Sequence, residues 1–104
     1  MLEKCPYVKH VGSCLMAKLT SFSVSGMQLW FHSHDHNPPH FHARKKGAWE
    51  VRVYFQLNEE EMFDMVSWEG KKTISAKDRR TLVALVETHR LELLREWETK
   101  VNVQ

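Results

Sequence analysis

The hydrophobic pattern of this 104-residue chain changes period once, near residue 75, and that change sets the order of its elements. Before it, "AWEVRVYFQL" alternates, with Trp49, Val51, Val53, Phe55 and Leu57 on one face and Glu50, Arg52, Tyr54 and Gln56 on the other. That is the pattern of a half-buried strand. "GMQLWFHSH" alternates in the same way, setting Met27, Leu29 and Phe31 against Gln28, Trp30, His32 and His34. After Pro38 and Pro39, "HFHAR" sets Phe41 and Ala43 against His40, His42 and Arg44 and predicts a third strand. "MFDMVSWEGKK" is a weaker fourth, because Phe63, Met65 and Trp68 do not share one parity. The acidic run Glu59 to Glu61 before it reads as a solvated loop.

From residue 75 the spacing turns helical. Ser75 stands as N-cap with Asp78 at the third helical position, a variant of the capping box. Leu82, Val86, His89, Leu93 and Trp97 then recur at steps of three and four, flanked by Leu85 and Leu94, over a helix ending near Lys100. The expected architecture is α+β, a small antiparallel sheet of three to four strands packed against one long C-terminal helix. Residues 1–21 read as an N-terminal extension, in which "VGSCLMAKL" suits either a strand or a short helix, and residues 22–104 as one domain.

With 42% hydrophobic and 27% charged residues the composition is that of one globular domain, and a formal charge of +2 is far from the footprint of a dedicated nucleic-acid binder. Cys5 and Cys14 match no CxxC spacing and read as free thiols of a reducing compartment. The opening "MLEKCPYVKH" lacks the apolar run of a secretory signal, and no segment approaches the roughly 20 apolar residues of a membrane span. The expected location is the cytoplasm, with no membrane partner.

The chemistry concentrates in "HSHDHNPPHFHARKK", where five of seven histidines fall within residues 32–42. A hairpin with Asp35 to Pro39 as its loop would set His34 opposite His40 and His32 opposite His42, on the face away from the helix. Directly opposed Cβ atoms lie about 4.5 to 5.5 Å apart, so two or three of these imidazoles can share a divalent ion such as zinc. The candidate metal ligands are His34, His40 and His42. Against this stands turn chemistry from Asp35, Asn37 and the prolines, with histidines merely tolerated on an exposed sheet face. A third alternative is phosphate or RNA contact through Arg44 and Arg52, with Trp30 or Tyr54 stacking a base and two histidines as acid and base. His36, His40 and His42 are the candidate catalytic residues. "HSHDH" departs from the histidine-triad nucleotide hydrolases at Ser33 and Asp35, and the prolines stand where a cupin metal motif needs its Glu. His89, on an apolar helix stripe, reads as a hydrogen-bonded core or boundary residue.

"HDHNPPHFHA", the alternating strand after it and a helix ending in "LELLREWE" resemble the small bacterial proteins of domain-of-unknown-function family 4160. Asp35, His36, Pro38, Pro39, His40 and His42 match its central signature, over a resemblance spanning roughly residues 22–98. The resemblance implies that His36, His40 and His42 carry any shared function. It also implies a toxin-antitoxin-like gene context, hence a small antitoxin-like protein partner and a toxin role. Two function classes follow. One is a metal-dependent or histidine-mediated phosphodiesterase acting on RNA. The other is a non-enzymatic protein-binding module in which the histidine and proline loop is structural.

Overall fold

The computed structural model describes residues 16–66 and 73–103. Cys5, Cys14, Trp68 and most of "VGSCLMAKL" lie outside the described residues. Strands β1 (Met16–Lys18), β2 (Gln28–His32), β4 (Phe41–Lys45), β5 (Trp49–Val53) and β6 (Phe63–Met65) form one antiparallel sheet in the order β1-β2-β4-β5-β6. A two-residue strand β3 (His34–Asp35) pairs in parallel with β7 (Asn102–Val103), which directly follows the long helix α1 (Ala76–Lys100).

The alternation read from sequence determines which face is buried. Leu29, Phe31, Phe41, Ala43, Val51, Val53 and Phe55 are all buried on one side of the sheet, and Leu82, Val86, Leu93 and Trp97 of α1 complete the same apolar cluster. A tight turn between β4 and β5 closes on the bond from the Ala48 N–H to the Lys45 carbonyl, with Gly47 at φ +78, a conformation costly for any side chain. Glu59 to Glu61 form a short 3₁₀ turn capped by Asn58, and exposed Glu59 pairs with Arg79 at 2.9 Å.

Three expectations change. Among the described residues the sheet has five strands rather than three to four, because Met16 to Lys18 pair with β2. The β2–β4 register places Trp30, not His32, opposite His42, a slip of two residues from the expected hairpin. The chain leaves β2 at His32 and turns aside to form β3 with β7, so the connection is longer than a simple turn. An even-numbered slip keeps parity, which is why the buried set is as expected although the histidine pairs are not.

Two buried carboxylates clamp α1 at its ends. Ser75 caps the helix, its Oγ accepting the Asp78 N–H at 3.1 Å. Asp78 in turn accepts from the Trp49 indole N–H and Lys45, both at 3.2 Å. At the other end Glu96 accepts from the backbone N–H and hydroxyl of both Thr20 and Ser21 and pairs with Lys100. Half-buried His89 departs from helical geometry at φ −115 and ψ 19 while its Nδ1 bonds the Leu85 carbonyl. A side chain that takes an i−4 carbonyl from the helical ladder accounts for a kink there.

Replacing Trp97 by Ala should cost roughly 3 to 5 kcal/mol, read as a lowered denaturation midpoint. Glu96 yields a pH test. Burial raises its pKa, but the bonds from Lys100, Ser21 and Thr20 outweigh burial and hold it below the ordinary glutamate value. A depressed folded-state pKa contributes stability above the unfolded value that is lost as pH falls through the folded one. Glu96→Gln should therefore lose about 2 kcal/mol at neutral pH and show a shallower fall in stability on acidification. Parallel pH profiles for the two proteins would exclude this role.

Candidate functional site

The outward face of the sheet carries a cross-strand row of Lys18, Trp30, His42, Arg52 and Asp64. His40, one alternation earlier on the same face, lies against Tyr54, with ring centroids 4.8 Å apart. The sequence reading expected this face to be exposed, yet His40 and His42 are only 3% and 5% exposed. Trp30 stacks over His42 at 5.4 Å and an interplanar angle of 17°, and Trp97 at the end of α1 reaches His40 at 5.7 Å. Trp30 is thereby engaged and buried, and does not present a free face to a base. Asp35 folds back over both rings from β3.

One oxygen of Asp35 meets both histidines. Oδ2 lies 3.0 Å from His40 Nε2 and 3.2 Å from His42 Nε2, while Oδ1 accepts the His36 backbone N–H at 2.9 Å. His40 Nδ1 lies 2.9 Å from the Pro38 carbonyl, across the loop that contains the cis Asn37–Pro38 peptide. A carbonyl only accepts, so Nδ1 carries a proton. In a neutral ring with this tautomer Nε2 carries no proton, and this buried nitrogen has no hydrogen-bond partner among the described residues. Asp35 Oδ2 lies beside it at 3.0 Å but off the line of a hydrogen bond. Two acceptors at 3.0 Å repel unless a cation, a proton or a metal ion, lies between them.

The charges agree with this. Burial pulls the His42 pKa down to about 4 against the opposing bond to Asp35, with His32 and His40 adding to the fall, so the ring is neutral at pH 7. For Asp35 burial raises the pKa, but the His36 N–H, the His42 bond and the two nearby imidazoles outweigh it and hold the carboxyl ionised. One ligand atom from each of Asp35, His40 and His42 lies within 4.8 Å of the others. Ligands about 2.0 to 2.1 Å from a tetrahedral zinc ion stand about 3.3 Å apart, close to the two distances to Asp35 Oδ2. The bond from His40 Nδ1 to a backbone carbonyl is the outer contact that orients a metal-binding imidazole.

Of the residues expected from sequence, the structure brings His40 and His42 together. His34 lies on β3 with an exposed side chain near Ser33 Oγ and outside this cluster, and Asp35 stands where His34 was expected. His36 is exposed and contributes its backbone N–H rather than its ring. His32, half-buried, packs edge-on against His42 at 4.3 Å. Arg52 lies opposite His42 but pairs with Asp64 at 2.9 Å, and Arg44 lies two residues along β4, between Gln28 and Glu50. Asp35 was read as turn chemistry, although it heads the Asp-His-x-Pro-Pro-His-x-His string.

A protein-family model described as Domain of unknown function (DUF4160) matches residues 26–98, and the chain belongs to that family. The match takes in β2 through most of α1, with all three clustered residues. No curated protein and no solved structure matches the chain. Among the described residues no helix is long and apolar enough to cross a membrane.

If Asp35, His40 and His42 form a metal centre, Zn²⁺ at about 100 times its dissociation constant should stabilise the protein by about 2.7 kcal/mol. Asp35→Asn keeps the shape and removes the charge. Thermal melts should show a zinc-dependent rise in midpoint for the unaltered chain and none for this variant; equal rises would exclude Asp35 as a ligand.

Proposed function

We propose that the chain is a metal-dependent phosphodiesterase acting on RNA, the toxin-like component of a two-gene toxin-antitoxin-type module in the bacterial cytoplasm. The observation that carries the reading is the buried His40 Nε2, which has no hydrogen-bond partner among the described residues although Asp35 Oδ2 lies 3.0 Å away and Nδ1 is held by the Pro38 carbonyl. Asp35, His40 and His42 would hold one divalent ion, which supplies Lewis-acid charge to a phosphoryl oxygen and lowers the pKa of a bound water. In the hydrolysis, the water oxygen bonds to phosphorus as the bond to the leaving ribose oxygen breaks, and a water proton ends on that oxygen. Arg52, opposite His42, and Arg44 are the cations nearest along the sheet to steady the phosphate. Half-buried His32 beside His42 is the group placed to move a proton.

The burial of His40 and His42 favours a second reading, a non-enzymatic protein-binding module in which the same centre is structural. One experiment separates the two. Protein purified without a polyhistidine tag is incubated with single-stranded RNA in Zn²⁺ or Mn²⁺, alongside Asp35→Asn and a chelator control. The enzyme reading predicts cleavage that falls at least 100-fold in the variant and stops with chelator. Stoichiometric metal with no cleavage would overturn it in favour of the structural centre.

A further inference from the structure

We propose that β7 is a positioning element for the Asp35 carboxylate, so that the strand following α1 sets the metal affinity of the centre. This rests on the metal reading above. His40 and His42 belong to or adjoin a strand paired on both sides, but Asp35 does not. It lies on a two-residue strand whose described backbone pairing is with Val103, beside His34 paired with Asn102. The Asn102 N–H donates to the Ser33 carbonyl at 2.6 Å. Without that ladder, residues 33–39 form a loop leaving β2, and the Asp35 backbone has no strand to hold it; its carboxylate keeps the His36 N–H and the His42 and His40 rings as partners.

The start of β7 is itself anchored. Buried Val101 belongs to the apolar cluster, and its N–H caps α1 on the Trp97 carbonyl at 2.9 Å. Trp97 in turn packs on His40. Both sides of the metal centre thus meet at one point, the end of α1: the histidines through Trp97 and the carboxylate through β7.

The test is Asn102→Pro, which removes the donor to Ser33. Val101 already has φ −111 and ψ 130, the extended conformation that a following proline requires, so the change is compatible with the preceding backbone. Zn²⁺ affinity, measured by competition with a chromophoric chelator, should fall 10- to 100-fold, the range for lost outer contacts of a metal site. With Co²⁺ the visible spectrum of Asn102→Pro should approach that of Asp35→Ala. In an Asp35→Ala background, Asn102→Pro should have no further effect on affinity, since its whole action passes through that carboxylate. A general loss of structure would instead weaken binding in both backgrounds and overturn the proposal, as would unchanged affinity in Asn102→Pro. If Asn102→Pro does not fold, deletion of residues 102–104 is scored by the same rules. Failure of the unaltered chain to bind Zn²⁺ would defeat the metal reading itself, whereas equal binding by all three proteins with Asp35 intact would defeat only the role of β7.

Discussion

Burial of one sheet face under α1 is the constraint on which the rest depends. Trp97 belongs to that buried interface, with its ring 6.1 Å from Phe31 at the centre of the apolar cluster, and it also reaches across to His40. Because Asp78 pins one end of the helix to Lys45 and Trp49 of the sheet and Glu96 pins the other to Thr20 and Ser21 after β1, the place where the helix stops is determined by the fold. The chain emerging there is delivered beside the histidine loop. The clustered side chains lie within eight residues of each other, but the strand that carries Asp35 is paired with residues that follow α1.

Within the site, the decisive interaction is the hydrogen bond from His40 Nδ1 to the Pro38 carbonyl. It fixes the orientation of the ring and leaves Nε2 as the nitrogen beside Asp35. A ring with its proton on Nε2 and aligned with Asp35 would donate to it and form a satisfied pair with no need of a ligand. His42, whose Nε2 also points at Asp35, can still do that, and burial keeps it neutral. His42 Nε2 bonds Asp35 whereas His40 Nε2 has no hydrogen-bond partner among the described residues, and this asymmetry between the two rings is the ground for the proposed metal centre.

The α+β architecture, the capped helix and the buried face were legible in sequence because each rests on local periodicity. Val51, Val53 and Phe55 alternate, Leu82, Val86, Leu93 and Trp97 recur at helical steps, and both patterns survive into the packed structure. The histidine register was not legible, since a slip of two residues leaves every side chain on its expected face and so leaves no trace in the hydrophobic pattern. The exposure of His40 and His42 was misread for a related reason. Part of what covers them comes from distant chain, from Trp97 of α1 and from Asp35 on a strand paired with residues 102–103, nearly 70 positions away. The role of Asp35 depends on that pairing too, and only its place at the head of the family-like string hinted at it.

The tautomer of His40 can be observed directly, and it tests the metal centre at its origin. Long-range proton–nitrogen NMR spectra of the imidazole rings, recorded without metal and during titration with Zn²⁺, resolve Nδ1 from Nε2 for each histidine. Expected is a His40 Nδ1 that keeps its proton throughout and Nε2 nitrogens of both His40 and His42 that shift together at one equivalent of Zn²⁺, with His36 unaffected. A His40 ring protonated at Nε2 alone, with no response to Zn²⁺, would contradict a metal centre at this site.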